Sequence, residues 1–357
     1  MPWPLATCSI TFCAWLSSQS SKNLSSNIIT PLSLNSSGFE TVNILSQGGA
    51  NTLTALALTN TASTEKVVVT GTQNLTLATS VTADSIDASG MTGTGALIMG
   101  ANGNAASQTI IGSPNADTLI GGTGADILTG GAGADTIQTS AAGANTSAAD
   151  IITGGAGFDT IKLVGSGFSA TGGNVTTYSG ATYIADFTVG SSATTTDLLA
   201  FSNNNADFAG AKFSAQAAAI VGLTSGTGAA ASTGAEAAVI QTVVQNAAAS
   251  AITSTTNFIK LTTGVAFTTD LKGTVAAALG SASLTGATTL STYLGSLYDT
   301  TNSRMVLFSI NSSADADAST TIASNDATAY GVQLVGTVNM TATDYSSFAA
   351  ANIANFF

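Results

Sequence analysis

The chain has 357 residues, of which only 7% are charged, with 19 acidic side chains against 7 basic ones and a formal net charge of −12. It contains no histidine, which excludes a Ser-His-Asp triad, a His-ligated zinc and a histidine general base, and so acidic a chain is a poor partner for nucleic acid, whose affinity rests on neutralised phosphates. The two cysteines, Cys8 and Cys13, sit near the start, so no disulfide framework exists, and no run of about 18 strongly apolar residues marks a transmembrane helix.

Residues 1–34 are left unassigned. The opening Met1–Ser18 has an apolar middle, but Lys22 is the first cation and no clear A-x-A site follows, so it does not read as a secretory signal. It is expected to be an internal or mis-started piece of a longer chain. Residues 35–102 read as short strands between Gly, Asn, Ser and Thr turns: Thr41–Leu45, Leu53–Leu58, Lys66–Thr70, Asn74–Ala78 and Ser85–Ala88. Apolar residues alternate with Thr or Asn in several of them, the period-2 signal of a strand with one buried face. Such text suits a stacked solenoid or a sandwich, and periodicity does not choose between them.

From Gly103 a repeat emerges. Gly112–Ile120, Gly121–Thr129, Gly130–Gln138 and Gly154–Lys162 share a period of nine, with Asp at the sixth position (Asp117, Asp126, Asp135, Asp159) and Leu or Ile at the eighth. An insertion at Thr139–Ala144 is followed by a degenerate unit, Asn145–Thr153, that keeps Asp150 and Ile152 without glycines. Upstream, Gly103–Ile111 keeps Ile110 but has Gln108 in place of Asp. This is a G-G-x-G-x-D-x-U-x repeat, in which six residues turn and three form a strand. The glycines suit left-handed turn backbone, and Asn115 is one of the few other residues that tolerate it.

Only the eighth position should face inward, so Leu119, Leu128, Ile137, Ile152 and Ile161 are the expected core. Two units make one coil, which stacks Asp117, Asp135 and Asp159 on one edge and Asp126 and Asp150 on the other. Carboxylates on rungs about 4.8 Å apart repel by about 3.5 kcal/mol at an effective dielectric of 20. A hard, oxygen-seeking cation reverses that sign, and Ca²⁺ accepts both carboxylate and carbonyl oxygens. Of the 19 acidic residues 16 are Asp, the short acid suited to such turns. The insertion puts the column of Asp126 and Asp150 in question.

Beyond Lys162 come Tyr183–Phe187 and Asp197–Phe201. Residues 201–357 read as a mixed α+β region, with helices expected at Ala235–Ile252 and Asp270–Leu279 and strands at Met305–Ile310 and Tyr330–Val338. Phe187 and Phe201 are expected to pack as a cap on the repeat region rather than to face a ligand.

The repeat residues resemble the RTX family of secreted proteins. Gly38–Leu45, Gln73–Leu77 and Ser85–Gly93 further resemble strand-repeat text that precedes the RTX block in Gram-negative surface-layer (S-layer) proteins. The resemblance implies a mainly β fold: a parallel β-solenoid or β-roll with calcium turns at 103–200, followed by a smaller α+β region. It implies several Ca²⁺ ions held by Asp117, Asp126, Asp135, Asp150 and Asp159. The turns are marked by Gly112, Gly121, Gly122, Gly124, Gly130, Gly131, Gly133, Gly154, Gly155 and Gly157. It also implies an uncleaved type I secretion signal, which the tail Thr343–Phe357 fits, and hence type I secretion machinery as a partner. The expected product is an extracellular, non-enzymatic protein of the cell surface that self-associates into a lattice on the outer-membrane surface or lipopolysaccharide. An RTX adhesin is the alternative, and the non-catalytic remnant of a secreted RTX hydrolase a more distant one.

Overall fold

The computed structural model describes residues 41–59, 64–79, 81–140, 149–164, 178, 180–192, 195–201, 240–243, 258–262, 264–266, 271–279, 291–312 and 330–354, with strand backbone at 21–25 and 32–37. Successive strands alternate between two sheets. One contains β1 (Ser21–Ser25), β3 (Thr41–Ser46), β5 (Lys66–Gly71), β7 (Ser85–Met91), β9 (Thr109–Ile111), β11 (Ile127–Ala132), β13 (Ile151–Ala156) and β15 (Thr182–Ile184). The other contains β2 (Leu32–Ser37), β4 (Asn51–Thr59), β6 (Leu75–Thr79), β8 (Leu97–Ala101), β10 (Thr118–Ile120), β12 (Thr136–Gln138), β14 (Thr160–Leu163) and β16 (Leu198–Phe201). Every pairing among them is parallel, each strand bonding to the strand two further along the chain. Between the solenoid and the sandwich that the sequence left open, the chain adopts the solenoid.

The core lies between the two sheets. In β3 the burial alternates from residue to residue, Val42 and Ile44 inward and Thr41 and Asn43 outward, as the pleat requires. The three-residue strands β9, β10 and β12 bury only their central side chain. Leu119, Leu128, Ile137, Ile152 and Ile161 are all fully buried, as the eighth position predicts. Outward positions hold Thr, Asn, Asp and Gln together with half-buried apolar residues such as Leu45, Val68, Ile98, Ile111 and Ile120, while Ile127 and Ile151, 43% exposed each, lie side by side on the outer face.

The roll does not end on a bare edge. β15 pairs in parallel with β21 (Tyr330–Asn339), which runs antiparallel to β20 (Arg304–Ser312), itself antiparallel to β19 (Ser291–Asp299). β18 (Phe258–Leu261) and β17 (Ile240–Val243) continue the same sheet. β16, the last strand of the other sheet, is met by the tail: Leu199 bridges to Ile353, and Ala354 donates its amide to the Leu199 carbonyl at 2.7 Å. A short helix, Ala342–Ser347, starts at a capping box between Thr341 and Asp344 and delivers Phe348 between the rings of Phe187 and Phe258, 6.3 and 6.1 Å away. Phe201 packs on Phe258 at 6.0 Å. Phe187 and Phe201 are therefore cap packing, as expected.

The expected strands at 305–310 and 330–338 are β20 and β21, and a helix spans Leu271–Leu279. The expected helix over Ala235–Ile252 is corrected: within it, Ile240–Val243 is β17, bonded in parallel to β18. Three of its four residues, Ile240, Thr242 and Val243, are β-branched, which disfavours a helix and suits a sheet that already offers a free edge. The rest of that span lies outside the described residues.

Candidate metal centre

Two parallel sheets joined by short turns have two edges. Turns 112–117, 130–135 and 154–159 lie on the first edge, and turn 121–126 and Asp150 on the second. The chain returns to the same edge every second turn, so equivalent residues stack. On the first edge Asp135 Oδ1 accepts the Asp117 amide at 2.7 Å, and Asp159 Oδ1 accepts the Asp135 amide at 2.8 Å. On the second edge Asp150 Oδ1 accepts the Asp126 amide at 2.9 Å. The insertion after Gln138 therefore leaves the second column intact, since β11 still pairs with β13 and β12 with β14 in the repeat's own register.

The ladders extend past the repeat at both ends. Asp117 Oδ1 accepts the Leu97 amide at 2.5 Å, and Asp126 Oδ1 accepts the Gln108 amide at 2.7 Å. Gln108 closes the second ladder with neutral bonds: its Nε2 donates to the Ala83 carbonyl at 2.6 Å, and its Oε1 accepts from Asn102 Nδ2 at 2.7 Å. Beyond Asp159 the first ladder continues to Asp197, whose Oδ1 accepts the Asp159 amide at 2.8 Å across 38 residues. Asp186 occupies the first position of that last, lengthened turn and accepts the amides of Gly154 and Gly155 at 2.7 and 2.9 Å. Sequence reasoning did not single out Asp186 and Asp197. The signal was the pair Asp197 and Leu199, which repeats the spacing of Asp159 and Ile161.

All five predicted aspartates are buried, at 1–3% exposure. The turns that hold them fall into two kinds. In turns 112–117 and 121–126 the second carboxylate oxygen is bonded within its own turn, Asp117 Oδ2 to the Ser113 amide at 2.5 Å and Asp126 Oδ2 to the Gly122 amide at 2.7 Å. In turns 130–135 and 154–159 the backbone is left-handed at Gly131, Gly133, Gly155 and Gly157, and Oδ2 of both Asp135 and Asp159 is buried without a donor. The expectation of left-handed backbone at Asn115 is corrected, since the non-glycine residues with positive φ are Tyr178 and Ser303 among those described. Ser113 closes that turn instead, its Oγ accepting the Asn115 amide at 3.1 Å and donating to Asp117 Oδ1 at 2.9 Å.

The stacking also gathers carbonyls. A Cβ built on Gly130 would lie 2.2 Å from Asp135 Oδ2 and 2.5 Å from the Gly154 carbonyl oxygen. At Gly112 the same point lies 2.5 Å from Asp117 Oδ2 and 2.2 Å from the Gly130 oxygen. The first-position glycines Gly112, Gly121 and Gly130 therefore leave room bordered by their own turn's carboxylate and by a carbonyl of the next coil, whereas at Gly154 the carboxylate of Asp159 alone borders it. Two acceptors with no donor between them are an unfavourable pair unless a proton or cation joins them.

The protonation behaviour agrees. Burial pushes the Asp126 carboxyl up to about 6, Asp135 to about 7 and Asp150 to about 8, with neighbouring aspartates adding to the rise for Asp135 and Asp150 and donated backbone bonds opposing it. Burial likewise raises Asp117, Asp159 and Asp197. No three acidic side chains converge on one point among the described residues, so any ion here draws much of its coordination from backbone carbonyls. Carboxylate and carbonyl oxygens alone, with no nitrogen or sulfur, suit Ca²⁺.

Comparison with known families decides the matter: the RTX calcium-binding nonapeptide repeat, in 4 copies, matches residues 102–138 and 145–162. This segment is an RTX block. RTX repeats bind Ca²⁺ at several sites and are typical of secreted proteins, and they are ordinarily non-catalytic. The RTX match ends at Lys162, before the turn that brings in Asp186 and Asp197. No curated protein and no solved structure gives a match. Among the described residues, no helix is long and apolar enough to cross a membrane.

Proposed function

We propose that this chain is a secreted, non-enzymatic structural protein of the cell surface, S-layer-like, that completes its folding and assembles outside the cell when Ca²⁺ enters the RTX turns. The observation that carries the reading is the pair of buried, donorless oxygens, Asp135 Oδ2 and Asp159 Oδ2, the first of them beside the room at Gly130 that the Gly154 carbonyl also borders. Asp117, Asp126, Asp135, Asp150 and Asp159 would hold the ions, together with the carbonyls of turns 112–117, 121–126, 130–135 and 154–159. Bound there, Ca²⁺ supplies the positive charge that two stacked carboxylate columns lack. The aspartates' own part is to bond each coil to the next through their Oδ1 atoms.

Assembly is supported by the outer surface. Ile127 and Ile151 stand exposed on adjacent rungs, and Phe158, 44% exposed, lies on the neighbouring turn. Apolar side chains on so polar a surface suit contact with another protein surface. The division into 1–34, a strand-repeat region 35–102, the RTX roll 103–200 and a C-terminal region 201–357 belongs to the same reading, as do type I export through the tail and contact with lipopolysaccharide.

Sedimentation velocity with and without millimolar Ca²⁺ tests it. Conversion of a slow, extended species into large particles is the expected result. A compact calcium-dependent monomer would favour an adhesin, and an unchanged trace would overturn the site.

A further inference from the structure

We propose that Gln108 and Asn115 are calcium stops: where the strand-repeat coils meet the RTX coils, their side-chain amides stand in for ions, so the coils of β3 to β8 fold without Ca²⁺ and form the base on which the calcium-dependent coils build. The inference rests on the calcium reading of the RTX turns.

Gln108 holds the sixth position of its turn, is 2% exposed and gives its backbone amide to Asp126 of the next coil. An ionised aspartate there would only accept hydrogen bonds, whereas a carboxamide both accepts and donates. Its Nε2 donates to the Ala83 carbonyl at 2.6 Å and to the Val81 carbonyl at 3.4 Å, and its Oε1 accepts from Asn102 Nδ2 at 2.7 Å. On the other edge Asn115 Nδ2 donates to the Gly95 carbonyl at 2.8 Å, again from the first RTX coil to the coil before it. On both edges an N–H therefore meets a carbonyl of the kind that calcium takes further along.

The carboxylates next to this joint are satisfied by protein donors too. Asp117 Oδ1 accepts from the Leu97 amide and Ser113 Oγ, and its Oδ2 accepts from the Ser113 amide. Both Asp126 oxygens hold an amide. The donorless oxygens, Asp135 Oδ2 and Asp159 Oδ2, lie one and two coils beyond Asp117 on the first edge. The need for a cation thus begins away from the joint.

Upstream, apolar burial replaces it. β4 buries Leu53, Leu56 and Leu58, β5 buries Val67 and Val69, β6 buries Leu75 and Leu77, and β8 buries Leu97 and Met99. The strands β10 and β12 each bury a single aliphatic, Leu119 or Ile137. The second or third buried side chain per strand is stabilisation that the RTX coils lack. The first edge is tied there by a neutral group, Asn74 Oδ1 accepting the Ala96 amide at 3.0 Å. On the second edge Asp84, which accepts the Glu65 amide at 2.8 Å, is half-buried, so water reaches its charge.

Hydrogen exchange of the full chain, in millimolar Ca²⁺ and in chelator, tests the joint. Amides of β4 to β8 should stay protected in chelator, whereas those of β10 to β14 should lose protection. Gln108→Glu exchanges the side-chain donor for a charge facing the Ala83 carbonyl. In chelator it should speed exchange in β7 and β9 by about ten-fold, the effect of one lost buried hydrogen bond, and Ca²⁺ should restore protection. Gln108→Met, with neither donor nor charge, should show the same speeding without rescue. Loss of protection in β4 to β8 on chelation, exchange in β7 and β9 unchanged by Gln108→Glu, or equal rescue of the two variants would overturn the proposal. The parent chain alone decides the first point, even where a substitution prevents folding. Failure of β10 to β14 to respond to Ca²⁺ would instead sink the calcium reading, so the two failures are distinct.

Discussion

Asp159 accepts a hydrogen bond from the amide of Asp135, 24 residues earlier in the chain and one coil away, at 2.8 Å. The same carboxylate thus ties two coils together through Oδ1 and presents a donorless Oδ2 to its own turn. One carboxylate performs both tasks, so its removal takes away the inter-coil bond and the donorless oxygen together.

Asp135→Ala and Asp159→Ala should each raise the calcium concentration at the folding midpoint more than Asp117→Ala. The first two remove an oxygen that nothing else satisfies, whereas Asp117 Oδ2 already holds the Ser113 amide. A loss of about 2 kcal/mol per removed charged partner, or about 30-fold, is the scale to look for. Calcium titrations followed by far-UV circular dichroism give the three midpoints, and a larger effect at Asp117 would contradict the division of the turns into two kinds.

The metal-free roll should lose stability as pH rises. Folding raises the carboxyls of Asp126, Asp135 and Asp150 from 3.8 to about 6, 7 and 8, so the folded state holds these protons more tightly than the unfolded one. Their contribution is fully present below 3.8 and is lost as pH passes through those folded values. Chelator-treated protein should therefore melt higher at about pH 4 than at about pH 9, and calcium should bind more weakly at the acid end, where protons compete. Melting curves and calcium titrations at the two pH values check both signs.

Gly157→Ala should be severely destabilising. Gly157 has φ of +138°, and an added Cβ would fall 1.6 Å from the Gly133 carbonyl oxygen. Strained backbone alone costs about 1–3 kcal/mol, and the clash adds to it. Gly103→Ala, with nothing within 4 Å of the new atom, is the control and should leave the melting temperature unchanged.

Phe348→Ala should loosen the cap on the last coil. The ring is 1% exposed and packs against Phe187 and Phe258, and truncations of buried Phe cost about 3–5 kcal/mol. Hydrogen exchange should show the amides of β14 and β16 exchanging faster than in the parent chain, with β3 and β5 unaffected.

The sequence by itself determined the repeat's local geometry. A period of nine places Asp at six and an aliphatic at eight, and a two-sheet coil then sends Leu119, Leu128, Ile137, Ile152 and Ile161 inward and the aspartates to alternate edges. Every one of those residues lies where the spacing puts it, because turn and strand conformations depend on neighbours a few positions away. The tertiary structure alone decided the rest. Asp197 joins the ladder across 38 residues because parallel strands pair by register and not by loop length, so an inserted turn hides the relationship in the text while leaving the bond intact. The two kinds of turn differ in backbone: the Ser113 and Gly122 amides meet their own turn's carboxylate, whereas Gly131 and Gly155 are left-handed and Gly155 gives its amide to Asp186 of the next coil. Ile240–Val243 becomes a strand, against the helical spacing of its apolar residues, because β18 bonds to it. Lys260, buried at 5%, meets the carbonyls of Ser346 and Phe348 only when β18 and the tail are brought together, 86 and 88 residues apart. A repeat carries its geometry locally, but a closed end is made by segments that meet only in space.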